Sequence, residues 1–93
     1  MKILNMWEHQ IFGDAIGFLK YEKDNIEICG YYEGIEVGDE LRSKMDSGKI
    51  GRFEVTKINY ISNGAKGQFW GRVQPLGYLS NLILPDNTII TVN

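Results

Sequence analysis

The chain has 93 residues, of which 43% are hydrophobic and 24% charged, and its net charge is −2. Such a composition excludes wholesale disorder and provides for one core of modest size in a single domain spanning residues 1–93, because small domains bury a smaller share of their surface. The near-neutral balance supplies no overall basic field to draw in nucleic acid, and no apolar run reaches the length of a membrane span.

Glycine is abundant at 11 residues and proline scarce at 2, which suits short strands joined by tight turns better than long helices. Lys2 to Trp7 is readable as a first strand or a packing arm, and Glu8 to Asp14 as a connector carrying His9 and Phe12. Ala15 to Glu22 is strand-like by its aromatic and branched content. Gly17 inside it marks a bulge or a close backbone approach. Lys23-Asp24-Asn25 is a turn, so Ile26 to Tyr32 returns as the second arm of a hairpin. Alternation places Ile26, Ile28, Gly30 and Tyr32 on the more apolar face and Glu27, Cys29 and Tyr31 on the other.

Gly34 to Tyr60 reads as a meander: a strand over Ile35 to Val37, a turn at Gly38-Asp39, a strand from Leu41, and a turn at Ser47-Gly48. Gly38 can take a positive φ, and the Asp39 carboxylate can bond nearby backbone. Leu41 and Met45 are four apart, a helical spacing, but a strand followed by a loop fits Glu40 to Asp46 better. In Phe53 to Ile61 the apolar alternation begins on Phe53 and Val55 and resumes on Ile58 and Tyr60. This phase change predicts a bulge or bend near Thr56-Lys57. Ser62 to Gly67 is a glycine-rich loop. Gln68 to Gln74 is a strand that Pro75 ends, with Phe69, Gly71 and Val73 facing the core. Tyr78 to Leu84 and Thr88 to Val92 form a terminal hairpin turned by Pro85-Asp86-Asn87. The expected fold is all-β: a small antiparallel β-barrel of six to eight short strands with at most one helical turn.

The layout I-x-V-G-D-E-L at Ile35 to Leu41, followed by the β-rich Arg52 to Ile58 and the stretch from about Gly64 to Gly77, resembles the second-domain β-barrel of translation elongation factors. The resemblance implies a barrel strand entering a Gly-Asp turn. The nucleotide-binding domain that accompanies such barrels has no counterpart here, so no activity is carried over.

The chemistry-bearing residues are few. One histidine and one cysteine, twenty residues apart, do not make a usual zinc site, and no D-x-D-x-D-G loop supports calcium. No G-x-S-x-G elbow is present. Cys29 reads as an inert strand thiol, and a single cysteine allows no internal disulfide, which fits a reducing cytosol. The N-terminus is too polar for a signal peptide. A cytoplasmic protein without cofactor, metal or catalytic constellation is expected.

Charge is uneven along the chain. Residues 1–46 hold ten acidic and five basic side chains, a balance of −5, and residues 47–93 hold two acidic and five basic, a balance of +3. Interleaved strands would average this out. Alternatively Lys49, Arg52, Lys57, Lys66 and Arg72 make a basic face for an anionic ligand or for the acidic half of a neighbouring subunit. The loops around Lys49 and Lys66 are glycine-rich, but neither has the phosphate-loop pattern. Trp70 and Arg72 lie opposite the core positions of their strand. Unless the strand is buried on both faces, or Met6 and Trp7 cover it, Trp70 is an exposed anchor beside an arginine, the composition of an interface hot spot or a stacking platform. Tyr31 is a second such aromatic.

The leading expectation is therefore a non-catalytic, self-associating interaction module that binds a protein partner through Trp70 and Arg72. The alternative is a binder of an anionic or nucleotide-like small molecule, with Lys49, Arg52, Lys66 and Arg72 neutralising charge and Trp70 or Tyr31 stacking. Single-stranded nucleic acid is a weaker alternative, because phosphate affinity needs clustered cations that an acidic chain lacks.

Overall fold

The computed structural model describes residues 1–79 together with the backbone of 81–83 and 89–91. Its elements in chain order are β1 (Ile3–Asn5), a 3-10 turn (Met6–Glu8), β2 (Gln10–Ile11), β3 (Asp14–Glu22), β4 (Asn25–Tyr31), β5 (Glu40–Lys44), β6 (Ile50–Tyr60), β7 (Gln68–Leu79), β8 (Asn81–Ile83) and β9 (Ile89–Thr91). The first seven strands form one sheet in the order β1-β5-β6-β7-β4-β3-β2, curled into a half-barrel. β8 and β9 pair separately with each other. The fold is thus all-β, as composition and turn pattern predict. Nine strands are described: Gln10–Ile11, read as connector, pairs with β3, whereas the strand expected over Ile35 to Val37 does not form. Neighbours in the large sheet are antiparallel except β1 and β5, which run parallel.

The concave face carries the core. Ile28, Leu41, Phe53, Val55 and Phe69 are almost completely buried. Met6, from the 3-10 turn, adds its side chain to the same cluster. Alternation on β4 holds: Ile26 and Ile28 point inward, while Glu27, Cys29 and Tyr31 are only partly covered. Gly30 follows at the next alternate position, where a Cβ would fall on the Ala15 carbonyl oxygen of β3.

Three bulges set which side chains face out. Thr56 is the extra residue between Val55, opposite Val73, and Lys57, opposite Arg72, and its hydroxyl donates to the Arg72 carbonyl at 3.2 Å. This is the bulge that the phase change of β6 predicts. Leu19 is a second extra residue, between Phe18 and Lys20. Continued alternation after Ile16 and Phe18 would turn Lys20 inward. The bulge instead sends Tyr21 inward, where its ring meets Phe53 at 6.0 Å. The bulge expected at Gly17 is therefore two residues further on, and a Cβ at Gly17 would meet nothing within 4 Å. The third is Leu76 on β7, between Pro75 opposite Phe53 and Gly77 opposite Arg52.

Pro75 does not end its strand, because β7 continues to Leu79. β4 pairs with β7 only as far as Val73, so beyond that point β7 presents an edge on that side. A proline next to a bulge on such an edge removes no ladder donor. The hairpin strand accordingly starts at Asn81, and Tyr78 and Leu79 belong to β7. The Pro85-Asp86-Asn87 turn lies outside the described residues.

Ile35 to Val37 is a loop, not a strand. Ile35 is buried, but side-chain donors and acceptors replace a ladder. The Tyr60 hydroxyl donates to the Ile35 carbonyl at 2.9 Å and accepts from the Gly34 N–H at 3.0 Å. Asp39 accepts the Glu36 N–H at 2.9 Å. The Gly38-Asp39 turn forms as expected, with Gly38 at φ 95°. Asp39 does more than turn the chain: it also accepts the Lys2 N–H at 2.9 Å and pairs with the Lys2 ammonium at 2.9 Å, fastening the parallel β1 to the sheet. Burial alone would raise the Asp39 carboxyl, but the donors from Lys2 and Glu36 outweigh it and hold it below its ordinary value.

Candidate functional site on the convex face around Trp70

The strand pairing of β4, β7 and β6 builds a convex face. Cys29 and Asn59 flank Trp70, and Glu27 and Lys57 flank Arg72. Phe69, Gly71 and Val73 are buried below, so Trp70 is half-buried and Arg72 and Gln74 are exposed above. The Trp70 indole N–H donates to Glu27 Oε1 at 2.9 Å, while Asn25 donates to Glu27 Oε2 at 2.8 Å. These bonds, that from Trp70 first, hold the Glu27 carboxyl below its ordinary value. The Lys57 ammonium lies 5.3 Å and the Arg72 guanidinium carbon 5.5 Å from the Trp70 ring centroid, both within cation–π range.

Beside the indole is a shallow depression of about 280 Å³ lined among others by Leu19, Tyr31, Ile61 and Trp70. Leu19 is 58% and Ile61 44% exposed, so the depression has an apolar rim that the fold leaves in water. Tyr31 continues the patch toward Phe12, whose ring centroid is 5.8 Å from its own. Neither Met6 nor Trp7 covers Trp70: Met6 is in the core, and the Trp7 ring lies under Lys44 at 4.9 Å.

Of the predicted site residues, Trp70 and Arg72 come together, and Tyr31 joins them across the depression. Arg52, Lys49 and Lys66 are elsewhere. Arg52 binds the Glu40 carboxylate through two donors at 2.8 and 3.1 Å, and Arg42 adds a third at 2.8 Å. Glu40 is only 4% exposed, so its two arginines are the counter-ions of a buried charge. Arg52 foremost, and then Arg42, hold its carboxyl low against the effect of burial. Lys49 lies over the Tyr78 ring at 5.5 Å, and Lys66 is 3.8 Å from Glu33. These cations do not converge on one anion.

Glu27, Leu19 and Ile61 complete the face without having been singled out in the sequence, and Lys57, of the expected basic face, joins Arg72 over the indole. Glu27 shares a face with Tyr31 by alternation, which was readable, but its meeting with Trp70 depends on strand order. Leu19 faces out through a bulge. Among the described residues no group of three His, Cys, Asp or Glu side chains could hold a metal ion, and no helix is long and apolar enough to cross a membrane. Comparison with known proteins finds no matching family model, no matching curated protein and no matching solved structure.

Proposed function

We propose that this chain is a non-catalytic interaction module that self-associates through the convex face centred on Trp70. The observation that carries this reading is the fixed, half-buried indole with an exposed apolar rim on one side and charges of both signs on the other. The indole N–H already has its acceptor in Glu27, so covering the ring demands no new partner for it. A preorganised ring loses little side-chain entropy on docking. Arg72 and Lys57 stand beside Glu27 and Glu54, a mixed-sign surface that suits a second copy of itself in an isologous contact.

The test is the mass of the native protein over a concentration series, by sedimentation velocity and native mass spectrometry. The wild-type chain is expected to form a dimer or larger species, and Trp70→Ala to be a monomer with an unchanged circular dichroism spectrum. A wild-type chain that stays monomeric at the highest concentration, or a Trp70→Ala variant of unchanged mass, would overturn the proposal.

A further inference from the structure

A second cavity lies beyond the Trp70 face, at the tip of the β2–β3 hairpin, and its volume is about 420 Å³. That is within the range of small-ligand sites. Three segments build it. Phe12 and Gly13 form the two-residue hairpin turn, with Asp14 opening β3. Tyr31, Tyr32 and Glu33 supply the second wall, and Ala65 and Lys66 of the β6–β7 loop the third. The walls are held by main-chain bonds: the Tyr32 N–H donates to the Gly67 carbonyl at 2.9 Å, and the Ile16 N–H to the His9 carbonyl at 2.9 Å.

The chemistry of these walls is specific. Phe12, Tyr31 and Tyr32 are three aromatic rings, and Asp14 and Glu33 are two carboxylates. Phe12 is 91% exposed, so the fold spends a large apolar side chain on the rim of this cavity rather than on the core. Asp14 is oriented from behind by His9, whose Nδ1 is 2.6 Å from Asp14 Oδ1 and whose ring stands edge-on to Tyr32 at 4.9 Å. Aromatic rings present a negative face to a cation, and a carboxylate adds a full charge. An anion would meet both carboxylates and the ring faces, and a neutral ligand would gain no charge attraction from either carboxylate. Lys66 is the only cation of the lining. It is 3.8 Å from Glu33 with 85% of its side chain exposed, so it can swing away at little cost.

We propose that this cavity binds an organic cation of side-chain size, an ammonium or guanidinium head on an alkyl stem, with Phe12, Tyr31 and Tyr32 around the head and Asp14 and Glu33 as counter-charges. The head comes either as a free amine or as a lysine or arginine side chain of another protein. The site is separate from the Trp70 contact, although Tyr31 borders both, so it can stand or fall independently of self-association.

The experiment is an amide-shift titration of the full chain with choline, with its neutral isostere 3,3-dimethylbutanol, and with a short lysine- and arginine-containing peptide. Choline is expected to move the amides of residues 12–14, 31–33 and 65–66, and the isostere to bind at least about tenfold more weakly, the factor that 1.4 kcal/mol of cation recognition represents. Phe12→Ala and Asp14→Asn should each weaken choline binding about five- to tenfold, and Lys66→Ala should strengthen it two- to threefold by removing a like charge. Tighter binding of the peptide than of choline assigns the cation to a protein side chain, and the reverse assigns it to a free amine. Equal binding of choline and its isostere, shifts confined to other residues, or an Asp14→Asn variant that binds unchanged would refute the site. Because Phe12 is exposed, its alanine variant keeps the fold and remains informative if Asp14→Asn does not.

Discussion

Asp39 is one of two acidic residues buried among the described ones, and its partners decide how the chain responds to acid. Two backbone N–H groups, of Lys2 and Glu36, point at its two oxygens. The Lys2 side chain is 42% exposed, so solvent screens the ion pair and the two N–H bonds carry most of the effect. An asparagine keeps one acceptor and turns an NH2 toward the other N–H. Asp39→Asn is therefore expected to lose about 1–3 kcal/mol at pH 7, measured by urea denaturation. The folded carboxyls of Asp39 and Glu40 both titrate below their unfolded values, so their ionised forms stabilise the fold at neutral pH. That contribution is complete above the unfolded values of about 4 and is lost as pH falls from there through the lowered folded values. Asp39→Asn should make the acid limb of the stability profile shallower. An unchanged acid limb would show that Asp39 does not drive it.

At the scale of elements, the bulges govern which face each side chain occupies, and glycine marks where two of the strands crowd. Just past the Thr56 bulge, where Gly71 pairs with Ile58, a Cβ at Gly71 would fall on the Lys57 carbonyl oxygen and lie 2.8 Å from Ile58 Cδ1. Gly71→Ala is expected to cost about 1–3 kcal/mol, the usual range of overpacking. Gly17→Ala, with nothing within 4 Å of the added atom, should be neutral or slightly stabilising in the same denaturation assay. Pro75 lies on a stretch of β7 that β4 no longer reaches, so Pro75→Ala should change stability by less than about 1 kcal/mol. A larger loss would mean that the proline ring fixes the Leu76 bulge.

These elements also mark how far the sequence could be read. The Thr56 bulge was legible because the apolar phase breaks within one long strand. The Leu19 bulge follows the same logic, with Ile16, Phe18 and then Tyr21 facing inward, but the adjacent Gly17 supplied a louder and misleading signal. The continuation of β7 past Pro75 was not legible, since proline stops a central strand and is tolerated on an edge. Which of the two applies depends on where β4 ends. Likewise the Trp70 and Arg72 side of β7 followed from alternation alone. The Glu27 acceptor, the Arg52–Glu40 pair and the approach of Lys2 to Asp39 are contacts 43, 12 and 37 residues apart in sequence. Periodicity carries no information about such contacts, and only strand order produces them.

For the whole molecule, the question is what dominates at the Trp70 face, its apolar depression or its charges. The two respond oppositely to salt. Raising ionic strength from 0.1 to 1 M shortens the screening length from about 10 Å to about 3 Å and weakens exposed ion pairs. Apolar burial is not weakened by sodium chloride in this way. Arg72 and Lys57 both lie against the indole, and Arg72 faces the Glu27 carboxylate across the strands, so part of its charge is already balanced within one chain. Solvent-exposed rim charges of this kind contribute little to affinity and more to association rate and to register. Self-association is therefore expected to survive 1 M salt, with the dissociation constant rising less than about tenfold. Trp70→Ala should abolish association at either ionic strength, because it removes the ring that the apolar rim surrounds. Sedimentation at two salt concentrations for the wild type and for Arg72→Glu separates the contributions. A small effect of both salt and Arg72→Glu places the affinity in the apolar depression. Dissociation of the wild type at 1 M salt would instead make the contact electrostatic, with Arg72 and Lys57 rather than Trp70 as its centre.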